Sequence, residues 1–179
     1  MKNRLDSAVF LPLLCAALAG CAASGAKTPE IPAALSVPAN QVLTQQLRAT
    51  GVQIYQCQSM KNDPAKFEWT FKQPEANLFT RAGRSVGKHY AGPTWEADDG
   101  SKVIGELIAR ANSPEPGAIP WLLLSAKSTS GNGMFTGVKS IQRLRTVGGS
   151  APYSCDQADA GRMLRVSYSA DYLFYTAKP

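Results

Sequence analysis

Apolar and polar residues alternate with a period of two along most of this 179-residue chain. The last run is the clearest. Leu164, Val166, Tyr168, Ala170, Tyr172 and Phe174 fall on one face, and Arg165, Ser167, Ser169 and Asp171 on the other. Phe67, Trp69 and Phe71 alternate with Glu68, Thr70 and Lys72, and Pro74 is expected to end that strand before a new run at Leu78 to Ala82. Val52 to Gln58 is rich in β-formers, whereas Asn40 to Gly51 fits a helical turn and a strand face equally well. Asp99-Gly100 is a hairpin dipeptide leading into Lys102 to Ala111, with Val103, Gly105, Leu107 and Ala109 on one face. Ile119 to Ala126 is continuously apolar, as in a strand covered on both sides. Val138 to Val147 is more polar and arginine-containing, which suits an exposed face or an edge. No convincing helical periodicity occurs. Short strands punctuated by Gly, Pro and Asn predict an all-β domain, a single antiparallel sandwich or barrel. Two longer loops interrupt it, Asn112 to Ala118 and Ser128 to Gly137.

The first residues follow a different pattern. Lys2 and Arg4 precede an apolar run from Ala8 to Ala19, too short for a bilayer span of about 20 residues but laid out like an export signal. Leu18-Ala19-Gly20-Cys21 then resembles the lipobox of bacterial lipoproteins. That resemblance implies cleavage of residues 1–20 as a signal peptide and lipidation of Cys21. Two or three acyl chains would hold the protein firmly, since each buried methylene contributes about 0.8 kcal/mol. Ala22 is not the aspartate that resembles an inner-membrane retention signal, so outer-membrane placement facing the periplasm is expected. Residues 21–38, rich in Ala, Ser, Gly and Pro, read as a lipidated N-terminus and flexible tether, leaving 39–179 as the β-rich domain.

Composition sharpens this only a little. With 44% hydrophobic and 18% charged residues the chain is globular, and its formal charge of +6 is scattered rather than clustered. No nucleic-acid footprint is therefore indicated. Of four cysteines, Cys15 leaves with the signal and Cys21 takes lipid. Cys57 and Cys155 remain, and in an oxidising compartment they most simply form a disulfide, the alternative being two buried thiols. Each follows a tyrosine by two positions, Tyr55 and Tyr153, so in a strand each pair would share a face.

Candidate chemistry concentrates between Gly87 and Gly105, which holds the only histidine, His89, with Trp95, Glu96, Asp98 and Asp99. One histidine cannot build a three-histidine zinc site, and neither a His-Glu-x-x-His motif nor a Gly-x-Ser-x-Gly elbow is present. No metal site or cofactor is expected. Aromatic residues offer the other use, because Trp69, Trp95, Trp121, Tyr168 and Tyr172 could line an apolar pocket in a barrel or sandwich. His89, Trp95, Glu96, Asp99, Trp121 and Tyr172 are the candidate binding residues.

With these residues in view, the chain resembles the family called domain of unknown function 3455, found in secreted bacterial and fungal proteins. The resemblance rests on Gly51 to Cys57, on Phe67-x-Trp69-x-Phe71 with Pro74-Glu75-Ala76, and on His89-Tyr90-x-Gly92-Pro93-Thr94-Trp95-Glu96. It continues through Asp99-Gly100-Ser101, Ile119 to Leu123, Gly148-Gly149 to Cys155, and Tyr168-x-Ala170-x-Tyr172-x-Phe174-Tyr175. It implies an exported β-rich domain and brings no agreed activity. The expectation is a lipid-anchored, non-catalytic envelope protein that binds a small molecule or an envelope component. The rival expectation is an enzyme using His89, Glu96 and Asp99.

Overall fold

The computed structural model describes residues 30–151 and 153–179. The expected signal peptide, Cys21 and the tether as far as residue 29 lie outside the described residues. Eight strands follow one another: β1 (Gln41–Met60), β2 (Asp63–Phe79), β3 (Ser85–Tyr90), β4 (Thr94–Ala97), β5 (Lys102–Ala111), β6 (Trp121–Ser130), β7 (Val138–Gly148) and β8 (Met163–Ala177). Each pairs antiparallel with the next, and β8 pairs with β1, so the sheet is a closed barrel. The expected all-β antiparallel class is what the chain adopts, in its barrel form. The ambiguous stretch before Gly51 is strand, the first half of β1.

The alternation seen in the sequence becomes inside and outside. Leu47 and Ala49 of β1, Leu78 of β2, Trp95 of β4, Val103 of β5, and Tyr168, Ala170, Tyr172 and Phe174 of β8 are buried in one core. Outward positions such as Arg48, Lys88 and Arg165 are exposed. An apolar lining with a charged exterior is the reverse of the polarity of a barrel that spans a bilayer. Trp95 packs against Gly105, where an added Cβ would lie 2.9 Å from the indole ring, so only glycine admits the ring there.

Bulges decide where each face changes sides. In β2, Lys72 is an extra residue: Gln73 pairs with Ile54 but Phe71 pairs with Tyr55. Inward positions therefore switch from Leu78, Ala76 and Pro74 to Phe71 and Trp69, and the strand runs through Pro74 instead of ending there. Proline is tolerated because the ladder is already broken at the bulge. In β5 a second shift at Ile108 separates Leu107 from Ala109. Leu107 faces the barrel mouth, and Ala109 packs outside, so the single face expected for Val103 to Ala109 is split. The expectation of an edge at Val138 to Val147 also fails. A closed barrel has no edge, and Ser140, Ile141, Gln142, Leu144 and Thr146 are buried.

One end of the barrel is stoppered and the other is open. At the closed end Asp99 organises the β4–β5 turn and the 131–137 loop together. Its carboxylate accepts from Ser101 N at 2.9 Å, Ser101 Oγ at 2.6 Å and Met134 N at 2.7 Å. Phe135 is thereby fully buried, its ring 4.7 Å from that of Phe174. At the open end the long β1–β2 hairpin is tied to the β7–β8 connection by the Cys57–Cys155 disulfide. Tyr55 points the same way as Cys57 and donates to Gly149 O at 2.7 Å. Tyr153 lies in no strand and is exposed, so the matching expectation for Tyr153 and Cys155 is not met.

The last described part of the expected tether is not free. Ala33–Leu35 form one 3₁₀ turn, and Leu35 is 0% exposed, packed with Trp121, Leu123, Leu144 and Leu173 on the outside of β6, β7 and β8. Its carbonyl accepts from Gln142 Nε2 at 2.7 Å, and Gln142 in turn accepts from Tyr175 OH at 2.6 Å. This strap explains why Ile119 to Ala126 is apolar on both faces. Replacing Leu35 with alanine should therefore lower the unfolding free energy by about 2–4 kcal/mol in urea titrations, the cost of a core truncation rather than of a linker change.

Candidate functional site: a cavity at the barrel mouth

An aromatic column fills the barrel from the stopper upward. Phe135 meets Phe174, Phe174 meets Trp95 at 6.0 Å between centroids, and Trp95 meets Tyr172 edge-on at 5.1 Å. His89 lies flat on Trp95, with centroids 4.5 Å apart and planes 13° apart, and tilts against Tyr172 at 5.0 Å. Above this level the barrel is not filled. A cavity of about 550 Å³ opens there, enough for a small molecule. It runs from Gln53, His89 and Arg143 to a rim that includes Phe71, Leu107 and Pro120.

Among the residues that line this cavity, Gln53 keeps a buried amide nitrogen without a hydrogen-bond partner, and Arg143 brings a guanidinium. Behind the lining lie the buried hydroxyls of Tyr168 and Tyr172. Arg143 pairs with Tyr172 across β7 and β8, and both side chains face inward. The Arg143 Nε donates to Pro120 O at 3.0 Å, which holds the guanidinium in place. Its charge is felt by Tyr55, His89, Tyr168 and Tyr172 together. Burial raises the pKa of Tyr168 and Tyr172, so both stay phenols and both can donate. Their hydroxyls lie close to each other, to Gln53 and to Arg143, one polar group behind the cavity wall.

His89 is neutral. Burial pushes its pKa down to about 3, only partly offset by its bond to Thr94 O, and the Arg143 charge lowers it further. The ring nitrogen Nδ1 lies 2.8 Å from that carbonyl, so Nδ1 carries the proton and Nε2 is an acceptor. A histidine held so far below its ordinary range is a poor general base at neutral pH.

The six candidate residues separate into three places. His89, Trp95 and Tyr172 come together under the cavity. Glu96 faces outward from β4, where it accepts from Tyr90 OH at 2.5 Å and pairs with Lys102 at 3.3 Å, and these contacts hold its carboxyl below the usual range. Asp99 sits at the closed end, its pKa lowered by the Ser101 hydroxyl and by the Met134 amide. Trp121 lies outside under the Leu35 strap. His89, Glu96 and Asp99 are therefore not one constellation, and among the described residues no three His, Cys, Asp or Glu side chains cluster as a metal site. Reading the sequence did not single out Arg143 or Gln53, and it marked Tyr55 only as sharing a face with Cys57. Its one usable signal was an arginine within a β-run, which also suits a surface strand.

A family model described as "Protein of unknown function (DUF3455)" matches residues 38–176, which span the barrel nearly from end to end. No curated protein and no solved structure matches the chain.

His89 makes the fold sensitive to acid in a defined window. Its folded pKa of about 3 lies below the ordinary value of 6.5, so the unfolded chain takes up the proton first. Stability is complete above the ordinary value and falls as pH drops toward the folded one, with a limiting slope of about 1.4 kcal/mol per pH unit. Urea unfolding between about pH 6 and pH 5 should show this slope in the wild type and lose it in His89→Gln, whose amide can still donate to Thr94 O.

Proposed function

The chain belongs to the DUF3455 family of proteins of unknown function, and from that premise we propose that it is a binding protein. It is a lipid-anchored envelope protein whose barrel takes a small molecule into the cavity at its mouth. The observation that carries this reading is the unfilled upper barrel, lined by Arg143 and by Gln53, whose buried amide nitrogen has no partner. Each buried hydroxyl or amide left unbonded costs about 1–3 kcal/mol, and a ligand that bonds to it removes that cost. The apolar rim supports the same reading, because Phe71 and Leu107 remain 49% and 54% exposed beside the opening. The floor and the closed end are rigid, built on paired strands and the aromatic column, so the cavity is preformed.

Attachment to the envelope rests on a different observation, the Leu18-Ala19-Gly20-Cys21 sequence after an apolar run. In this reading the acyl chains on Cys21 hold the protein at the membrane, and the barrel works in the periplasm. Growth with labelled palmitate should mark the wild type and leave Cys21→Ser unmarked; an unmarked wild type removes the anchor from the proposal.

Binding is tested with N-phenyl-1-naphthylamine, a neutral apolar fluorophore that brightens in a dry site. Wild-type protein should give a saturable signal. Leu122→Trp, which builds a large ring into the cavity wall from β6, should weaken it by about tenfold or more while the barrel still unfolds cooperatively. A dye that ignores the wild type, or binds Leu122→Trp equally well, would place binding elsewhere.

A further inference from the structure

The charges around the cavity go further than its size. Three cationic side chains line it, Lys72, Arg110 and Arg143, and no aspartate or glutamate does. Three arginines elsewhere have acids, while Arg48 and Arg81, both exposed, bond to neutral side chains. Arg145 pairs with Asp171 at 2.8 Å, Arg162 with Asp159 at 2.6 Å and Arg165 with Glu75 at 2.9 Å. Arg143 makes no ion pair among the described residues, although it sits deeper than any of these. Its Nε donates to Pro120 O, which orients the guanidinium, and the side chain lines the cavity.

A half-buried, oriented and unpaired guanidinium is costly unless something negative meets it. Beside it in the lining, the amide nitrogen of Gln53 is buried and without a partner. His89 brings no second charge. A planar fork with an amide donor beside it matches a carboxylate. Higher up the wall is apolar, from Ile119 and Leu122 to the exposed Phe71 and Leu107. Lys72 and Arg110 at the opening would draw an anion in without holding it.

We infer that the ligand is an amphiphile with a single carboxylate head and an apolar body, bound head-down, its carboxylate on the Arg143 guanidinium and the Gln53 amide and its body against the rim. The inference rests on the cavity being a binding site and adds the chemistry and direction of what enters. The residue that reads the head is Arg143, which the strand pattern made look like part of a surface.

Octanoate, octan-1-ol and octylamine share one tail and differ in the charge of the head at neutral pH. Titration calorimetry below their aggregation limits should rank octanoate first, tighter than octan-1-ol by about tenfold or more, as charge-assisted bonds require, with octylamine last. Arg143→Gln should erase the difference between octanoate and octan-1-ol, and Arg143→Lys should restore part of it. Gln53→Leu, which removes the amide and leaves Arg143 in place, should weaken octanoate severalfold and octan-1-ol little. Circular dichroism and cooperative unfolding of each variant separate loss of recognition from loss of fold. Equal binding of the three heads, or a preference that survives Arg143→Gln, overturns the inference, as does naphthylamine binding with no octyl ligand bound; in these cases the cavity reading stands. Failure of the naphthylamine and all three octyl compounds removes both.

Discussion

Everything in this protein depends on the pairing of its first strand with its last. From Gln41 opposite Ala177 to Gln56 opposite Met163, β1 and β8 close the sheet on itself. Closure satisfies the backbone groups that an open sheet leaves at its edges, and it separates two environments that a flat sheet would share. An eight-stranded ring has an interior just wide enough for side chains to fill or for one small ligand to occupy. This barrel does both at different heights. Near the stopper the column of Phe135, Phe174 and Trp95 fills it; toward the mouth the bulky residues stop and the cavity begins.

The ends are managed by contacts that look unrelated in sequence. Asp99, a candidate binding residue in the sequence, instead uses its carboxylate to hold Ser101 and Met134 and so seat Phe135. The disulfide holds the projecting hairpin over the β7–β8 connection, so Tyr55 can reach Gly149 and frame the mouth. At Gly149 the backbone adopts a φ of 90°, and an added Cβ would lie 2.9 Å from both Ile119 and Tyr168. Side chains there would crowd the cavity floor. The strap at Leu35 completes the outside, covering apolar residues that closure alone would leave in water.

The polar floor is where stability and binding pull apart. A barrel selected only for stability would carry apolar side chains at Gln53 and Arg143, which line the cavity, since a buried amide without a partner and a half-buried charge both cost free energy. Keeping donors there, around a neutral histidine, concentrates positive potential in a low-dielectric cup open to solvent at one end. The bulges serve the same end. The extra Lys72 turns Phe71 toward the mouth, and the shift at Ile108 leaves Leu107 on the opposite wall. In β7 the left-handed Arg145, at φ 48°, marks a third irregularity two residues beyond Arg143.

How much of this was legible beforehand divides along a physical line. Alternation, turn dipeptides and cysteine pairing are local or compositional, and they determined the strand class, the Asp99-Gly100 hairpin and the Cys57–Cys155 partnership. His89, Trp95 and Tyr172 were also within reach, because an aromatic residue on the apolar face of a strand belongs to the interior. What the sequence could not determine is which inward residues share a height in the barrel. That follows from register, and register here shifts at bulges that carry no marker in composition. So Glu96 and Asp99, near His89 in the chain, end up on the outer face and at the closed end, while Arg143, Gln53 and Tyr168, far from it, meet beneath the mouth. Side-chain alternation is a property of neighbours along one strand; a cavity floor is a property of the ring they close, and only the tertiary structure decided it.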